Sequence, residues 1–320
     1  MPPYSPDPAA SATGFRLTCR GCPPPVAAMT EKRPIDTSGA ALLTGFALLL
    51  AFNQVVIKVT GGGFGPVFQA GLRSAIGLLV LAVWIILRRP RLGPLPRGAA
   101  LWGVVAGLLF CFEFICLFIA LDVTSVSRAS IIFYSMPVWL ALAAHLLLPG
   151  EQFNRVRSLG LVLAMGGVAL AVLDRGGGTA SLAGDLLALG ATFGWAGIAL
   201  CLRITPLAAV PPVTQLVFQL AVSAVLLTAA APLFGPLIRG IEPLHLWGLA
   251  FQGICIASLG YLLWFQLIKI YRASSVASFS SLSPVLAVLM GWALLDEVIG
   301  LQVWAALALV AAGVFLINRK

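Results

Sequence analysis

Ten apolar runs occupy most of the chain, and they constrain its fold more than any other feature. Each run is close to the ~20 residues that an α-helix needs to cross the hydrocarbon core of a bilayer. The 320 residues are 60% hydrophobic and 10% charged, with a mean hydropathy of +1.02, which is typical of a polytopic membrane protein. The sequence therefore predicts an all-α integral membrane fold with ten transmembrane helices, at residues 39–60, 65–87, 98–121, 125–148, 157–173, 182–203, 211–235, 245–269, 273–295 and 299–317.

Two of these runs, the fourth and the ninth, carry a proline near their middle, Pro137 and Pro284. A proline removes one helix hydrogen bond and clashes with the carbonyl four residues earlier, at Phe133 or Ser280, so both helices are predicted to kink or open. In a membrane the freed carbonyl needs a partner in protein or in a water-filled cavity. Interrupted spans at corresponding positions of two repeats point to the binding site of a transporter.

An internal repeat extends beyond the prolines, which lie 147 residues apart. The segment GGVAL at 166–170 corresponds to AGVFL at 312–316, an offset of 146. The chain therefore divides into two five-helix repeats, residues 39–174 and 181–318. Because five is odd, the second repeat enters the membrane from the opposite side, and the repeats are predicted to be inverted. Inverted halves supply two related packings that can alternate, which favours a transporter over a receptor.

The loop charges predict the orientation. Fifteen Lys and Arg residues fall on the side that holds both termini, and four fall on the other side. The positive-inside rule then places both termini in the cytoplasm, most simply at a bacterial inner membrane. The net charge of +9 is accounted for by these loops, so nucleic acid is not an expected partner.

Residues 1–38 are rich in Pro, Ala and Ser and predict a disordered cytoplasmic tail. Met29 opens the segment MTEKRPIDTSG directly before the first run, which makes it an alternative translation start. The CxxC of Cys19 and Cys22 lies before Met29 and has no second half, and no His/Cys/Asp spacing indicates a metal site. No metal and no cofactor are expected.

Residues 251–317 closely resemble the second repeat of the EamA family in the drug/metabolite transporter superfamily. The matching residues are Gly260, Tyr261, Trp264, Pro284, Glu297 and Gly313 in this repeat, Trp195 and Arg203 at its start, and Asn53, Lys58, Arg73, Pro137 and Glu151 in the first repeat. Leu50 departs from the family pattern, which often has Trp there. The resemblance implies a ten-helix carrier of small metabolites, often an exporter of amino acids or related compounds.

A substrate cavity is predicted at the midplane, where the two repeats meet. Asn53 and Tyr134 lie at one depth, and Trp195, Tyr261 and Ser281 lie at the matching depth from the other surface. Two layers ~12 Å deep in a core of ~30 Å approach within about 6 Å of each other. Trp264 and Ser278 complete the predicted lining. Ordinary core packing is the alternative for each aromatic residue, and close helix packing is the alternative for the serines.

Glu113 is the one carboxylate deep inside a span, where a charge costs ~2.5 to 3.5 kcal/mol on insertion scales. Arg73 lies at a similar depth and is the predicted partner. The pair is either a proton or substrate site or a structural ion pair, and the sequence leaves both possibilities open.

Three classes of function fit a membrane protein of this kind. The leading one is a secondary transporter of a small metabolite by alternating access, with a proton or a counter-substrate as the coupled species. A membrane enzyme is disfavoured because the chain lacks paired catalytic carboxylates, a Ser/His/Asp set and a nucleotide-binding loop. A non-transporting scaffold or sensor is the alternative of the same fold, although it would not require interrupted helices in both halves.

Overall fold

The computed structural model describes residues 36–90, 92–147, 154–173, 181–271, 279 and 282–318, and helices joined by short connections make up most of these ranges. The predicted tail before Asp36, Met29, Glu151, Ser278 and Ser281 lie outside the described residues. The helices are α1 (Thr37–Thr60), α2 (Pro66–Arg88), α3 (Ala99–Val123), α4 (Val126–Phe133), α5 (Met136–Leu147), α6 (Arg155–Leu173), α7 (Leu182–Ile204), α8 (Pro212–Ala230), α9 (Pro243–Ala250), α10 (Tyr261–Ile270), α11 (Leu282–Leu295) and α12 (Leu301–Asn318).

The predicted all-helical, ten-span fold is confirmed. In the described part of the chain, nine segments are long and apolar enough to cross a membrane, and α11 is a shorter apolar helix within the ninth predicted run. Two spans are composite. The fourth consists of α4 and α5, and the eighth consists of α9, a π-helical stretch at Phe251–Gly260 and α10.

Helix starts follow from local capping chemistry. Asp36 caps α1, because its Oδ1 accepts a hydrogen bond of 2.7 Å from the Gly39 backbone N–H. The first helix therefore begins at Thr37, two residues earlier than predicted. The same Asp36 oxygen accepts a hydrogen bond of 2.9 Å from the Tyr271 hydroxyl. Both hydrogen bonds lower the pKa of Asp36, and the one from the Gly39 backbone has the larger effect. Proline occupies the first helical position of α2, α8 and α9, where its missing N–H costs nothing.

Hydrogen bonds between the repeats show that their first helices, α1 and α7, run in opposite directions. Tyr271, the C-cap of α10, contacts Asp36 at the start of α1. Thr124, the C-cap of α3, contacts Asp185 in the first turn of α7, with 3.4 Å between Oγ1 and Oδ1. We call the end of the bundle where α1 begins the Asp36 end, and the opposite end the Lys58 end. The two repeats are thus inverted, as the odd number of spans predicts.

Glycines bring α3 and α7 into close contact along their lengths. An added Cβ at Gly194 would lie 3.0 Å from Glu113 Cα, and one at Gly190 would lie 3.2 Å from Cys116 Sγ. Inside a bilayer the hydrophobic effect does not drive helices together, and small residues at an interface allow the close backbone packing that does. This packing fixes the backbone of Glu113 against α7.

Charged groups tie the helices together at the Lys58 end. Lys58 Nζ donates to the carbonyl oxygens of Leu121 and Thr124 at 2.8 and 2.6 Å, which caps the C-terminus of α3. Arg239 forms a two-pronged salt bridge to Asp122 at 2.6 and 2.9 Å. A short antiparallel bridge between Phe64 and Ile238 brings the α1–α2 and α8–α9 connections together at this end.

The start of α4 is capped from the other repeat by Glu297. Its carboxylate accepts hydrogen bonds from the Val126 and Ser127 backbone N–H groups at 2.6 and 3.0 Å, and from Ser127 Oγ at 2.6 Å. A carboxylate at a helix N-terminus is favoured by the unpaired N–H groups there and by the helix dipole. Glu297 therefore joins the α11–α12 connection to α4.

A buried ion pair lies next to this cap. Arg128 Nη2 and Asp185 Oδ2 are 2.6 Å apart, and the two side chains are 4% and 0% exposed. The loop-charge count includes Arg128, but the pairing of Arg128 with Asp185 was not predicted. Such a pair gains little net free energy when formed, but removing one partner strands a buried charge.

We expect Arg128→Met and Asp185→Leu each to destabilise the folded protein by ~3 to 5 kcal/mol, because each removes one partner of a buried ion pair. The double variant should recover most of this loss. Thermal unfolding in detergent measures all three. Asp122→Asn is the matched control, because the Arg239–Asp122 pair is 31% and 23% exposed and should contribute only ~0 to 1 kcal/mol. Additive losses in the double variant would contradict this account.

Candidate functional site

The fourth span opens before Pro137. Helix α4 ends at Phe133 and α5 begins at Met136, and Tyr134 and Ser135 lie in a turn between them. The carbonyl oxygen of Ile132 accepts from the hydroxyls of Ser135 at 2.6 Å and of Thr192 at 3.1 Å. These hydroxyls give the Ile132 carbonyl the hydrogen-bond partners that the interrupted helix no longer provides. The opening places Tyr134 at the middle of the bundle.

Pro284 is the third residue of α11. The segment immediately before α11, where the sequence predicts the second kink, lies outside the described residues, as do Ser278 and Ser281. Ser283, which is described, is 1% exposed and contributes to the lining of the central cavity.

A cavity of about 360 Å³ lies at the interface of the two repeats. It is bounded by the break between α4 and α5 and by α1, α2, α3, α7, α8, α10 and the start of α11. Seven residues singled out from the sequence line it, namely Asn53, Arg73, Glu113, Tyr134, Trp195, Tyr261 and Trp264. The structure brings these residues together, and their roles in binding stay predictions.

Stacked aromatic rings form two walls of this cavity. Phe133 and Trp195 stack with their centroids 4.9 Å apart, and Tyr134 meets Trp195 edge-on at 6.2 Å. Phe46 and Trp264 stack in the same way at 5.1 Å. Such rings offer rigid apolar surface to a ligand.

Polar atoms without partners occur beside these walls. Asn53 Oδ1, Gln54 Oε1 and both Nε and Nη1 of Arg73 are buried and have no hydrogen-bond partner. A buried polar atom left unpaired costs free energy. Two acceptors and two donors of this kind in one cavity are what a ligand with complementary groups would satisfy.

Arg73 and Glu113 face this cavity from neighbouring helices. Arg73 is 2% exposed, and its guanidinium carbon lies 4.3 Å from the centre of the Phe114 ring, a cation–π contact. Glu113 is 5% exposed and belongs to the helix that carries Phe114. No salt bridge joins these two described residues, and their pairing stays a prediction.

Several cavity residues were missed by the sequence analysis. Gln54, Phe114 and Gln219 line the cavity and are 3%, 4% and 6% exposed. Phe114 lies 147 residues before Tyr261, the offset that separates the two prolines, so the repeat itself could have identified it. The two glutamines are ordinary helix residues by sequence, and only the packing shows which face they occupy.

The cavity extends from the middle of the bundle toward the Asp36 end. Leu202 near the end of α7 and Gln215 near the start of α8 line it at that end. Toward the Lys58 end, Gln54 is the last lining residue of α1 and Leu117 the last of α3. The charged network around Lys58 lies beyond them and separates the cavity from that end.

Metal chemistry is not indicated in the part of the chain that the structure describes, where no group of three His, Cys, Asp or Glu residues could hold an ion. An all-helical bundle of two inverted repeats around a central cavity is the architecture of a secondary membrane transporter. The chain belongs to the EamA-like transporter family, whose sequence model matches residues 37–173 and 182–319. The resemblance noted in the sequence is thereby confirmed.

Bacterial relatives match nearly the whole chain. The uncharacterized transporter YvbV of Bacillus subtilis (strain 168) is 29% identical over 290 residues, covering 89% of this chain and 92% of YvbV. The uncharacterized protein PA1977 of Pseudomonas aeruginosa is 32% identical over 285 residues, covering 86% of this chain and 93% of PA1977. A solved crystal structure with 22% identity and a TM-score of 0.62 covers 88% of this chain and 96% of that chain, and it shows the same fold.

We expect Arg73→Met to lower the folded yield, because Glu113 would then face an apolar cavity without a nearby cation. If the two residues pair as the sequence predicts, Glu113→Gln should strand Arg73 in the same way, and each single change should then cost ~3 to 5 kcal/mol. The double variant should recover yield while transport stays lost, if these groups take part in binding or coupling. Yield is measured by gel filtration, and transport by flux in reconstituted vesicles. Recovery of both yield and flux would show that the pair is only structural.

Proposed function

We propose that this protein is a secondary transporter that exports small metabolites, such as amino acids or related compounds, by alternating access. The observation that carries the proposal is the cavity at the repeat interface, where buried polar atoms without partners lie between stacked aromatic walls. A scaffold that binds no ligand would gain nothing from leaving these atoms unpaired. A carrier gains a binding site, because the substrate supplies the hydrogen-bond partners that these atoms lack.

The chemistry of the cavity favours an amphipathic substrate that carries both hydrogen-bond acceptors and hydrogen-bond donors. Arg73 supplies donors suited to a carboxylate. The Asn53 and Gln54 oxygens and the Glu113 carboxylate supply acceptors suited to an ammonium or amide group. The aromatic walls suit an apolar portion, and a volume of about 360 Å³ limits the substrate to a small molecule. Glu113 is also the group best placed for coupling to a proton or to a counter-substrate.

Alternating access is supported by the difference between the two ends of the bundle. Charged contacts join the helices at the Lys58 end, whereas the cavity reaches toward the Asp36 end. Inverted repeats have two related packings, and exchanging them would open the Lys58 end and close the Asp36 end. The described arrangement is then one of two states of the carrier.

The direction of export follows from the orientation that the loop charges predict. Fifteen basic residues at the Asp36 end against four at the Lys58 end favour a cytoplasmic Asp36 end in the inner membrane of a bacterium. The cavity would then face the cytoplasm and collect its substrate there. A reporter fused after Lys320 that is active only outside the cytoplasm would contradict this orientation.

A metabolite-wide comparison of cells with and without the protein tests the function. We expect at least one small amphipathic metabolite to accumulate in the medium of the expressing cells. Asn53→Leu, which removes an unpartnered acceptor at similar volume, should reduce that efflux severalfold, because the substrate loses a hydrogen bond worth ~0.5 to 1.5 kcal/mol.

The matched control is Leu79→Ala, a change at a side chain that is 66% exposed and far from the cavity by its place on the bundle surface. Its efflux should equal that of the original protein. The proposal fails if purified protein in vesicles moves none of the compounds whose efflux changes in cells.

A further inference from the structure

The ends of the helices show which cavity residues correspond in the two repeats. Asp36 caps α1 and Ser181 caps α7, and each side chain accepts a hydrogen bond from the backbone N–H three residues later. These two caps are 145 residues apart. Pro66 and Pro212 are the first residues of α2 and α8, and they are 146 residues apart. The offset between equivalent residues is therefore 145 for the first pair of helices and 146 for the second.

The end of α3 corresponds in the same way to the end of α10. Thr124 and Tyr271 are the C-caps of these helices, and each backbone N–H donates to the carbonyl four residues earlier. They are 147 residues apart, which is also the offset between Pro137 and Pro284. These three offsets assign a counterpart in the second repeat to the cavity residues of α1, α2 and α3. The pseudo-two-fold axis that relates inverted repeats places such counterparts on facing sides of the cavity.

Among the described residues that line the cavity, the charged side chains and the polar atoms without partners belong to the first repeat. The residues that carry them are Asn53, Gln54, Arg73 and Glu113. Their counterparts also line the cavity, and in the same order they are Ile198, Ala199, Gln219 and Gly260. None of the counterparts carries a charge, and only Gln219 has a polar side chain. Charged groups of a ligand can therefore find partners on one side of the cavity and not on the facing side.

The second repeat supplies the tryptophans of the described cavity wall, at positions where the first repeat has leucine. The two pairs are Trp195 with Leu50 and Trp264 with Leu117. Ala199 lies four residues after Trp195, so it belongs to the same face of α7. Its methyl group occupies the position that the longer side chain of Gln54 occupies on the facing side. The second repeat therefore offers an apolar surface with space beside a tryptophan.

We infer that the substrate binds across the repeat interface in one orientation, with its charged groups on the first repeat and its apolar group on the second, where Ala199 limits the length of that group. The inference rests on the proposed function, because it assigns the two ends of the proposed substrate to facing walls of the same cavity. In the reverse orientation the charged groups would be buried against apolar side chains, which costs free energy. Ala199 is then a specificity-determining residue.

Straight-chain amino acids test this orientation, because they share one charged head and differ only in the length of the apolar chain. The probes are L-alanine, L-norvaline and L-norleucine. Isothermal titration calorimetry on the purified full-length protein gives the dissociation constant of each probe. The Kd of L-alanine divided by the Kd of L-norleucine is the length ratio, which is large when the longer chain binds more tightly.

Leucine is introduced at the two equivalent positions as a matched pair of variants. Ala199→Leu should lower the length ratio about tenfold or more, because its side chain takes the space of the longer chain and a misfit of one methylene costs at least that much in an apolar pocket. Gln54→Leu should weaken the binding of all three probes severalfold and to the same extent, because it removes an acceptor for the shared head. Leu79→Ala, on the exposed surface of α2, should change neither quantity.

The opposite pattern would reverse the orientation and overturn the inference, with Gln54→Leu lowering the length ratio and Ala199→Leu weakening every probe alike. An unchanged length ratio in folded Ala199→Leu would also overturn it, as would a folded parent protein that binds none of the probes. If Ala199→Leu cannot be recovered folded, Ala199→Val decides in its place. A length ratio that fails to fall in that variant overturns the inference.

Flux of the same probes into reconstituted vesicles separates this inference from the proposed function. The expected binding pattern without any flux would leave the orientation standing and reject the proposed transport of this class of substrate. Flux through the parent protein with an unchanged length ratio in Ala199→Leu would reject only the orientation.

Discussion

The structure depends on one constraint, that polar groups inside a bilayer must be satisfied within the protein. At the Lys58 end this constraint is met by bonds between elements distant in sequence. Glu297 supplies acceptors to the start of α4, Lys58 supplies donors to the end of α3, and Arg128 is paired with Asp185. Because each of these bonds joins elements from different parts of the chain, satisfying the polar groups also closes this end of the bundle.

In the middle of the bundle the same constraint is left unmet. Asn53, Gln54 and Arg73 keep buried polar atoms without partners, and they line the cavity together with the stacked aromatic rings. A protein that retains such a site carries a cost in the empty state, and binding of a complementary substrate offsets it. The Lys58 end, where polar groups are paired between helices, therefore contrasts with the centre of the bundle, where polar atoms remain for a substrate to satisfy under the proposed function.

The sequence predicted the fold well because apolar length, proline and the repeat are local or periodic signals. The ten spans, the opening before Pro137 and the seven cavity residues from Asn53 to Trp264 follow from such signals. The pair of Arg128 with Asp185 and the capping role of Glu297 do not, because they join residues 57 and 171 positions apart and only the packing brings them together. The π-helical stretch before Tyr261 was not predicted either, and within it Gly253 packs closely against Ile76 of α2.

Distances between paired spin labels at the two ends test the central claim most directly. One pair is Val59→Cys with Val123→Cys at the Lys58 end, and the equivalent pair is Ile204→Cys with Ile270→Cys at the Asp36 end. Double electron–electron resonance should show a short and a long distance for each pair in lipid. Any condition that populates the long distance at one end should populate the short distance at the other. Distances that lengthen at both ends together, or a single fixed distance at both, would contradict alternating access.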